Sequence, residues 1–408
     1  MTPRRIVIVG AGPAGLAAAR AYREHGGTGE VTLIGSETLI PYRRPPLTKE
    51  FLRGELDACE LPIESRNWFE EHRIELRLGC EATAIHPDEG AVEVDGTALH
   101  GEAIVLATGA EPTRPALPGL DDPRVQTMRE RSNSERLASR AQPGTRMAVL
   151  GTGFIGCELA ASLAMRGGHV TLVGQDQAPQ RQRLGADAAL RIAGWLTDLG
   201  VSLQMGVEVS AVHNGRIVQL ADGRRIEAEN IVLGMGVRPR TRLAENAGLP
   251  IDNEAIRTDA QMRAHERVLA AGDVAYAHNR QAGRRLRVEH WGDALGQGEI
   301  AGRVLAGQDV HWQDVPGFWS TIGQRTIKHA AWSDGHDASR LDEHPDGAFT
   351  VWYSHHDKLV GVLTHNRDED YQHGRELIAA GKSPPCSQGA TKAQKAAAGR
   401  TAARKGNG

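Results

Sequence analysis

The chain has 408 residues, of which 24% are charged, and a formal net charge of −3 at pH 7. A chain of this length is expected to form two or three domains, and a nearly neutral balance argues against a broad nucleic-acid-binding surface. No apolar run approaches the roughly 18 residues of a membrane span, so no membrane segment is expected. The first predicted strand begins at Ile6, which leaves no room for a signal peptide, and the four scattered cysteines suit a reducing compartment. We therefore expect a cytoplasmic protein.

A glycine-rich turn follows that first predicted strand. Gly10-Ala11-Gly12-Pro13-Ala14-Gly15 stands between the apolar run Ile6-Val7-Ile8-Val9 and an alanine-rich segment that is predicted to be helical. In a GxGxxG turn the first glycine permits the tight turn, the second lets the backbone approach a pyrophosphate, and the third lets helix and strand pack closely. The helix N-terminus then faces the phosphates. The pattern therefore predicts a dinucleotide site.

An acid that could bind the ribose of this dinucleotide follows the second predicted strand, Val31-Thr32-Leu33-Ile34. Glu37 lies about 20 residues beyond the glycine turn, where such an acid belongs, and Ser36 takes that place if the register shifts by one residue. Residues 41–57 are predicted to form a proline-rich, basic loop. Residues 112–123 hold four prolines and predict a crossing between domains.

The same fingerprint occurs a second time. Gly151-Thr152-Gly153-Phe154-Ile155-Gly156 follows the apolar run Met147-Ala148-Val149-Leu150, and its unit closes with Ile231-Val232-Leu233-Gly234-Met235-Gly236. That ending echoes Ile104–Gly109, so the chain contains an internal repeat of domain size. One GxGxxG is weak evidence because glycines are common, but two copies in strand–turn–helix context are strong evidence. Two such sites predict an enzyme that passes electrons from one dinucleotide to another.

A Gly-Asp pair then completes a possible flavin signature. Gly272-Asp273 ends a predicted strand over residues 268–274. A carboxylate at this place can accept hydrogen bonds from the ribityl chain of a flavin, and the glycine permits close approach. Residues 286–306, which follow, are predicted to be helical.

The composition changes from residue 317 onward. Strands at Phe349–Tyr353 and Leu359–Leu363 and a helix at 370–380 predict a separate α+β domain. From Ser383 onward the chain has no acidic residue and is rich in Pro, Gly, Ala, Lys and Arg, which predicts disorder. The basic residues of this tail are expected to be solvated.

These motifs resemble the ferredoxin-reductase-like flavoproteins, a family that includes the reductases of aromatic-ring dioxygenases and apoptosis-inducing-factor-like proteins. The resemblance covers nearly all of residues 4–380. It rests on the two glycine fingerprints, Arg44-Pro45-Pro46-Leu47-Thr48-Lys49, Ala107-Thr108-Gly109, Gly234–Pro239, Ala271-Gly272-Asp273-Val274, Glu289-His290-Trp291 and Phe318-Trp319-Ser320. It implies an α/β fold with two Rossmann-like domains, as in glutathione reductase, the second inserted in the first, and a C-terminal α+β domain. The implied boundaries are 1–110 and 243–316 for the FAD domain, 111–242 for the NAD(P)H domain, 317–382 for the interface domain and 383–408 for a disordered tail.

The resemblance also implies which residues serve the two cofactors. Lys49 and Glu158 are implied to be catalytic, pairing beside the flavin and the nicotinamide, where they hold the carboxamide and balance charge as hydride arrives. The residues implied to contact FAD are Gly10, Gly12, Pro13, Ala14, Gly15, Ser36, Glu37, Lys49, Ala82, Thr108, Gly109, Arg129, Gly272, Asp273, Trp291 and Trp319. Those implied to contact NADH or NADPH are Gly151, Gly153, Phe154, Ile155, Gly156, Glu158, Gly174, Arg181 and Gly236.

Two of the departures from the family pattern bear on the coenzyme and on the acceptor. Gly174 ends a strand where an acid often binds the 2′-hydroxyl of NADH, and Arg181 and Arg183 follow it. NADPH therefore remains an alternative coenzyme, although NADH is favoured. Asp176 is an alternative ribose-binding acid. Thr321-Ile322 stand where dioxygenase reductases commonly have Asp-Gln, which is closer to the apoptosis-inducing-factor-like branch.

The absence of a close cysteine pair predicts where the electrons go. Disulfide reductases carry CxxxxC just after the first nucleotide unit and thioredoxin reductases carry CxxC in the second, whereas Pro41–Gly54 has no cysteine and Leu150–Arg166 has only Cys157. Electrons are therefore expected to leave FAD for a separate ferredoxin or Rieske-type iron–sulfur protein that serves a cytochrome P450 or a ring-hydroxylating dioxygenase. No nucleic-acid or membrane partner is expected, and the protein is expected to be a monomer or homodimer.

Two other functions stay open at this point. One is an NADH oxidase related to apoptosis-inducing factor, and the other is a redox-sensing protein in which reduction by NAD(P)H changes dimerisation. No metal is expected, because His355, His356, His365 and His373 do not have the spacing of a recognised metal site.

Overall fold

The computed structural model describes residues 3–386. The predicted disorder of the tail lies outside the described residues from position 387 onward, and residues 383–386 belong to no helix or strand. The chain divides into two compact units, Met1–Lys328 and a smaller one that begins at His329. The finer domain boundaries inferred from the sequence remain predictions.

The first stretch of the chain contains seven strands, of which the first three and the last join one sheet and the other three form a separate antiparallel sheet. Its strands are β1 (Arg5–Val9), β2 (Glu30–Gly35), β3 (Ile74–Leu78), β4 (Ala82–His86), β5 (Ala91–Val94), β6 (Thr97–His100) and β7 (Ala103–Leu106). Its helices are α1 (Pro13–Glu24), α2 (Glu50–Arg53) and α3 (Arg66–Glu71), with 3₁₀ turns at Pro45–Thr48 and Ala58–Glu60. β2 and β7 pair in parallel with β1, and β3 pairs in parallel with β2. β1 is buried along nearly its whole length, which explains its continuous apolar run.

The prediction of a loop over residues 41–57 is wrong in part. Pro45–Thr48 forms a 3₁₀ turn and α2 follows it directly. The prolines stand in the first turn, where the missing backbone N–H has no intrahelical partner to lose. A proline-rich composition therefore does not exclude a short helix here, and that helix carries Lys49 at its N-cap.

The second stretch repeats the parallel-sheet plan. Its strands are β8 (Ala110–Pro112), β9 (Val125–Thr127), β10 (Arg146–Leu150), β11 (His169–Gly174), β12 (Ser202–Met205), β13 (Val209–His213), β14 (Ile217–Leu220), β15 (Arg225–Glu227), β16 (Asn230–Leu233) and β17 (Val237–Pro239). Its helices are α4 (Arg131–Arg140), α5 (Phe154–Met165) and α6 (Arg181–Asp198). The parallel sheet has the order β12-β11-β10-β16-β9, so the strand before the second glycine loop is again central.

The chain then returns to the first sheet. This stretch contains α7 (Arg242–Asn246), β18 (Ile251–Asp252), β19 (Ala255–Thr258), β20 (Arg263–His265), β21 (Val268–Ala270), β22 (Ala275–Asn279), β23 (Arg284–Arg287), α8 (Trp291–Leu305), β24 (Gly317–Ile322) and β25 (Arg325–Ala331). β21 pairs in parallel with β7, which gives the order β20-β21-β7-β1-β2-β3. The second parallel sheet is therefore inserted into the first, as the fold class predicted. The helix predicted over 286–306 begins later, at Trp291, because Arg284–Arg287 pairs with β22 as a strand.

The smaller unit is an antiparallel sheet with one helix. It contains β26 (Ala338–Glu343), β27 (Phe349–His355), β28 (Lys358–His365) and α9 (Asp368–Ala379). β27 pairs antiparallel with both β26 and β28, and α9 packs on β28. The two predicted strands and the predicted helix are confirmed. β26 escaped prediction because Ala-Ser-Arg-Leu-Asp-Glu is too polar for a buried strand, and it forms an edge instead.

Candidate active site

The first glycine loop leaves its outer side open. A Cβ on Gly10, which has φ +118°, would collide with the Ala107 carbonyl, and one on Gly15 would collide with the Gly10 carbonyl. At Gly12, by contrast, a Cβ would meet nothing within 4 Å. Gly12 is also the N-cap of α1 and offers the helix no side-chain cap. The first-turn amides are thus free of a capping side chain, and the space before them fits a pyrophosphate.

The second glycine loop has the same construction. Gly151 has φ +106° and lies against the Gly234 carbonyl, and Gly156 lies against the Gly151 carbonyl. Gly153 is the N-cap of α5, again without a side-chain cap. Each of the two sheets therefore presents one uncapped helix N-terminus beyond the carboxyl end of its central strand, which is where ligands bind in open α/β sheets.

The predicted ribose-binding acid of the first site is held by its neighbours. Glu37 accepts hydrogen bonds from Arg44 Nη2 at 2.6 Å and from the Tyr42 hydroxyl at 2.6 Å. Arg44 also donates to the Arg129 carbonyl at 2.8 Å, and burial raises the pKa of Tyr42. A carboxylate can accept about four hydrogen bonds, so Glu37 keeps capacity for a ribose. Ser36 beside it is exposed.

Arg129 and Asp273 lie together near the first glycine loop. Arg129 Nη2 is 2.8 Å from Asp273 Oδ2. The preceding Gly272 donates its N–H to Gln297 Oε1 at 2.9 Å, a contact that sequence reasoning missed. Thr108 hydrogen-bonds through its hydroxyl to the Arg240 carbonyl at 2.8 Å. Gly109 follows β7 and Ala82 begins β4, so the predicted FAD residues that follow β1, β2, β7 and β21 lie at the carboxyl ends of strands of one sheet, whereas Ala82 belongs to a separate sheet.

Lys49 and Glu158 form a buried ion pair. Lys49 Nζ lies 2.9 Å from Glu158 Oε2, and the two side chains are only 7% and 5% exposed. The partners come from distant parts of the chain, the N-cap of α2 and the second turn of α5. A buried charge pair of this kind costs desolvation energy and persists only when further hydrogen bonds satisfy it.

Those further hydrogen bonds all converge on Glu158. Thr48 donates its hydroxyl to Oε2 at 2.5 Å, Ser320 donates its hydroxyl to Oε1 at 2.8 Å, and the Thr321 N–H donates to Oε1 at 3.2 Å. Sequence reasoning found Lys49 and Glu158 but missed these three residues. Two of them stand inside motifs that carry the family resemblance, because Thr48 precedes Lys49 and Ser320 follows Trp319. Nothing in the sequence, however, indicates that β24 reaches this carboxylate.

The same α5 face anchors the second sheet to the first. Ser162, one turn beyond Glu158, donates its hydroxyl to the Thr48 carbonyl at 2.7 Å. Arg166, a further turn on, donates to the Leu52 carbonyl at 2.9 Å. Residues four positions apart lie on one helix face. These polar side chains on one face of α5 therefore hold the segment that carries Lys49 by hydrogen bonds.

Aromatic rings surround the start of α8. The Phe154 and Phe318 ring centroids are 4.4 Å apart, and those of His290 and Phe318 are 4.7 Å apart. The Arg183 guanidinium lies 5.5 Å from the Phe154 ring centroid. Burial, and then the positive charge of Arg183, lower the pKa of His290 to about 4, while Asp273 opposes this shift. The imidazole is therefore neutral at physiological pH.

The two predicted tryptophans lie on different parts of this region. Trp291 is the first residue of α8 and is half-buried. Trp319 is 43% exposed, because successive residues of a strand point to opposite faces and its neighbours Phe318 and Ser320 are buried. Trp319 thus faces away from the side of β24 that contacts Glu158.

The predicted nicotinamide-nucleotide residues include one steric departure. A Cβ on Gly174 would collide with the Thr152 side chain, so the end of β11 has no room for the usual acid. Arg181, the first residue of α6, and Ile155 are both exposed, and Gly236 has open space around it. Thr152, in the glycine loop, therefore occupies the space that a side chain at position 174 would need.

Comparison with known proteins shows the family. The pattern of the pyridine nucleotide-disulphide oxidoreductases matches residues 4–298, and that of a reductase C-terminal domain matches residues 317–396. The chain belongs to the pyridine nucleotide-disulphide oxidoreductase family. The predicted family resemblance is thereby confirmed, and the protein is an oxidoreductase.

Individual relatives of this oxidoreductase match over nearly their full length. Rhodocoxin reductase from Rhodococcus erythropolis is 32% identical over 92% of this chain and 89% of its own. The ferredoxin–NAD(+) reductase component of the anthranilate 1,2-dioxygenase system of Burkholderia cepacia is 33% identical over 95% and 97%. Among solved structures, the ferredoxin reductase for the CYP199A2 system from Rhodopseudomonas palustris superposes with a TM-score of 0.90 at 28% identity, covering 97% of this chain and 100% of that chain. Putidaredoxin reductase in its covalent complex with putidaredoxin gives 0.87 at 28%, covering 93% of each chain.

This oxidoreductase has no disulfide in spite of the family description. All four of its cysteines lie in the described part of the chain and are free. Cys157, beside Glu158, is buried, and burial raises the pKa of its thiol. In residues 3–386, no helix has the length and apolarity needed to cross a membrane.

Proposed function

We propose that this oxidoreductase is an NADH:ferredoxin reductase, which takes electrons from NADH through FAD and gives them to a separate ferredoxin or Rieske-type iron–sulfur protein that serves an oxygenase. FAD supplies the chemistry that joins these steps, because it accepts two electrons as a hydride and releases them one at a time. The observation that carries the proposal is the buried Lys49–Glu158 pair between the two dinucleotide-binding sheets.

The chain's own residues would hold the two dinucleotides in place. The uncapped N-termini of α1 and α5 offer amide donors to the two pyrophosphates. Arg129 is a cation that can contact the FAD phosphates, and Asp273 and Glu37 are acceptors for hydroxyl groups of the ribityl chain and the ribose. These assignments are supported by the ion pair between Arg129 and Asp273 and by the hydrogen bond that Arg44 donates to Glu37.

Lys49 and Glu158 would then orient the donor. The Lys49 ammonium has three donors and gives one of them to Glu158, so it keeps donors for the oxygen of a carboxamide. The Phe154 and Phe318 rings, whose centroids are 4.4 Å apart, would help to exclude water from a bound nicotinamide, as a site for hydride transfer requires.

The acceptor is external because the protein has no dithiol relay. Its four cysteines are free and none is close in sequence to another.

We propose NADH as the preferred donor, since the relatives are described as NAD(+) reductases. We also propose a cytoplasmic location and a monomer or homodimer.

A redox-sensing function close to apoptosis-inducing factor is the second candidate. Thr321-Ile322 favours it, because dioxygenase reductases commonly have Asp-Gln there. The test is anaerobic stopped-flow bleaching of the flavin with NADH and with NADPH, followed by cytochrome c reduction with a panel of ferredoxins. Reductase function predicts cytochrome c reduction that depends on an added ferredoxin. Slow bleaching that no ferredoxin relieves, together with an NADH-dependent change of oligomeric state, would favour the sensor.

A further inference from the structure

Glu158 accepts hydrogen bonds from two other segments of the chain, and each segment supplies two donors. Oε2 receives the Lys49 ammonium at 2.9 Å and the Thr48 hydroxyl at 2.5 Å. Oε1 receives the Ser320 hydroxyl at 2.8 Å and the Thr321 N–H at 3.2 Å. Four donors match the acceptor capacity of one carboxylate, so both oxygens are committed.

We propose that Ser320 is a positioning residue for hydride transfer. By holding Oε1 it keeps Oε2 directed at Lys49, and it thereby fixes the orientation of the pair that the donor carboxamide meets. The inference rests on the proposed NADH-dependent function and adds a role for β24 that the cofactor contacts do not supply.

Because Ser320 is buried, water cannot easily take the place of its hydrogen bond to Glu158. Its side chain is 1% exposed, and in residues 3–386 its hydroxyl has no hydrogen-bond partner other than Glu158. Water therefore cannot replace the hydroxyl without a rearrangement of β24. A hydrogen bond to a charged group contributes more than one between neutral groups, and a buried acceptor left without its donor is costly. Without Ser320, Oε1 keeps only the longer Thr321 contact.

Ser320 lies on the inward face of β24, which is opposite to the face that carries Trp319. Phe318 and Ser320 point inward, toward Phe154 and Glu158 respectively. Trp319 between them points outward and is 43% exposed. A change at Ser320 is therefore expected to affect reduction of the flavin by NADH and to leave its reoxidation by an external acceptor unchanged.

The test uses Ser320→Ala, Ser320→Thr and a matched control, Ser134→Ala, in the FAD-loaded enzyme. Ser134 is also fully buried and donates its hydroxyl to the Leu47 carbonyl at 2.7 Å, but it does not touch Glu158. We expect Ser320→Ala to lower the limiting rate of flavin bleaching about tenfold with little change in the dissociation constant of NADH. Ser320→Thr, which keeps the hydroxyl, should restore most of the rate, and Ser134→Ala should bleach at the wild-type rate.

A second readout does not depend on activity. The Ser320→Ala and Glu158→Gln variants, alone and combined, are unfolded thermally as FAD-free protein. A coupling between the two changes is expected, whereas Ser134→Ala and Glu158→Gln should be additive. The proposal is overturned if Ser320→Ala bleaches at the wild-type rate, or if it slows bleaching only as much as Ser134→Ala does. Failure of the wild-type protein to bleach with NADH would instead overturn the proposed function, so the two failures are distinguishable.

Discussion

Arg129 and Asp273, which stand 144 positions apart in the chain, form an ion pair with 2.8 Å between Nη2 and Oδ2. The second dinucleotide unit is inserted between them, and the return of the chain through β21 brings Asp273 back to the first sheet. The family resemblance implies that both residues bind FAD. Their ion pair brings the segment before the inserted unit into contact with the segment that returns to the first sheet.

Replacing Asp273 by Ala is expected to weaken FAD retention by tenfold or more. The substitution removes an acceptor for the ribityl chain and leaves Arg129 without its partner, and a buried hydrogen bond of this kind contributes about 1–3 kcal/mol. FAD affinity is measured by fluorescence titration of the apoprotein. Asp222→Ala is the control, because its ion pair with Arg224 is exposed on both sides. Equal FAD affinity in wild type and Asp273→Ala would contradict the assignment.

Lys49→Ala and Glu158→Ala are each expected to slow flavin reduction by NADH, because each leaves the other charge buried and unpaired. Their combined effect should be smaller than the sum of the separate effects, as for residues in contact. Stopped-flow bleaching of the two single variants and the double variant measures this coupling. The exposed Arg5–Glu30 pair serves as the control and should have no effect on bleaching. Strict additivity would show that Lys49 and Glu158 do not act together.

Gly174→Glu is expected to raise the preference for NADH only when Thr152 is also changed. In the single variant the new Cβ collides with Thr152, so the glycine loop is disturbed and both coenzymes should bind worse. In Thr152→Gly, Gly174→Glu the carboxylate has room and repels the 2′-phosphate of NADPH. An increase of about tenfold in the ratio of kcat/KM for NADH to that for NADPH is expected, with Thr152→Gly alone as the reference. No increase in the double variant would show that the end of β11 does not face the ribose.

His290 is expected to make the protein less stable as the pH falls from about 6.5 toward 4. Its pKa is about 4 when folded, below the ordinary value of 6.5, so the unfolded state binds more protons in this window. Its contribution is present above pH 6.5 and is lost as the pH falls, by at most about 3 kcal/mol. Glu289, whose pKa is raised by burial, acts in the opposite direction.

Urea unfolding of the apoprotein at pH 7.5 and pH 5 measures this effect, with His290→Gln as the comparison. The loss of stability at pH 5 should be smaller in His290→Gln than in wild type, because the glutamine does not titrate while Glu289 is unchanged. The same loss in both proteins would mean that His290 does not remain neutral.

Cys157 is expected to resist alkylation in the native protein. Its thiol is buried and its pKa is raised, so little thiolate is present or accessible, whereas Cys59 and Cys386 are exposed. Mass spectrometry after brief iodoacetamide treatment should find label on the two exposed cysteines and not on Cys157. Cys157→Ala should keep NADH-driven bleaching, which distinguishes this protein from reductases that relay electrons through a thiol.

The nature of each motif explains which parts of the site were predictable. The glycine loops and Gly272-Asp273 depend on short-range requirements for turns, close approach and phosphate access, so the sequence shows them directly, whereas Lys49 was implied by the family resemblance. The start of α8 was placed too early because Arg284–Arg287 is a strand only through its pairing with β22. The helix at Glu50–Arg53 was missed because the prolines that precede it in the sequence predicted a loop.

The sequence by itself determined the two-nucleotide plan, because the glycine fingerprints are local patterns that repeat along the chain, and the family resemblance of its motifs implied Lys49 and Glu158. Only the tertiary structure decided that Thr48, Ser320 and the Thr321 amide complete the Glu158 carboxylate. The physical reason is that a buried charge must find donors in space, and those donors come from segments that are more than 100 positions away in sequence. The spacing of residues along the chain does not predict such contacts.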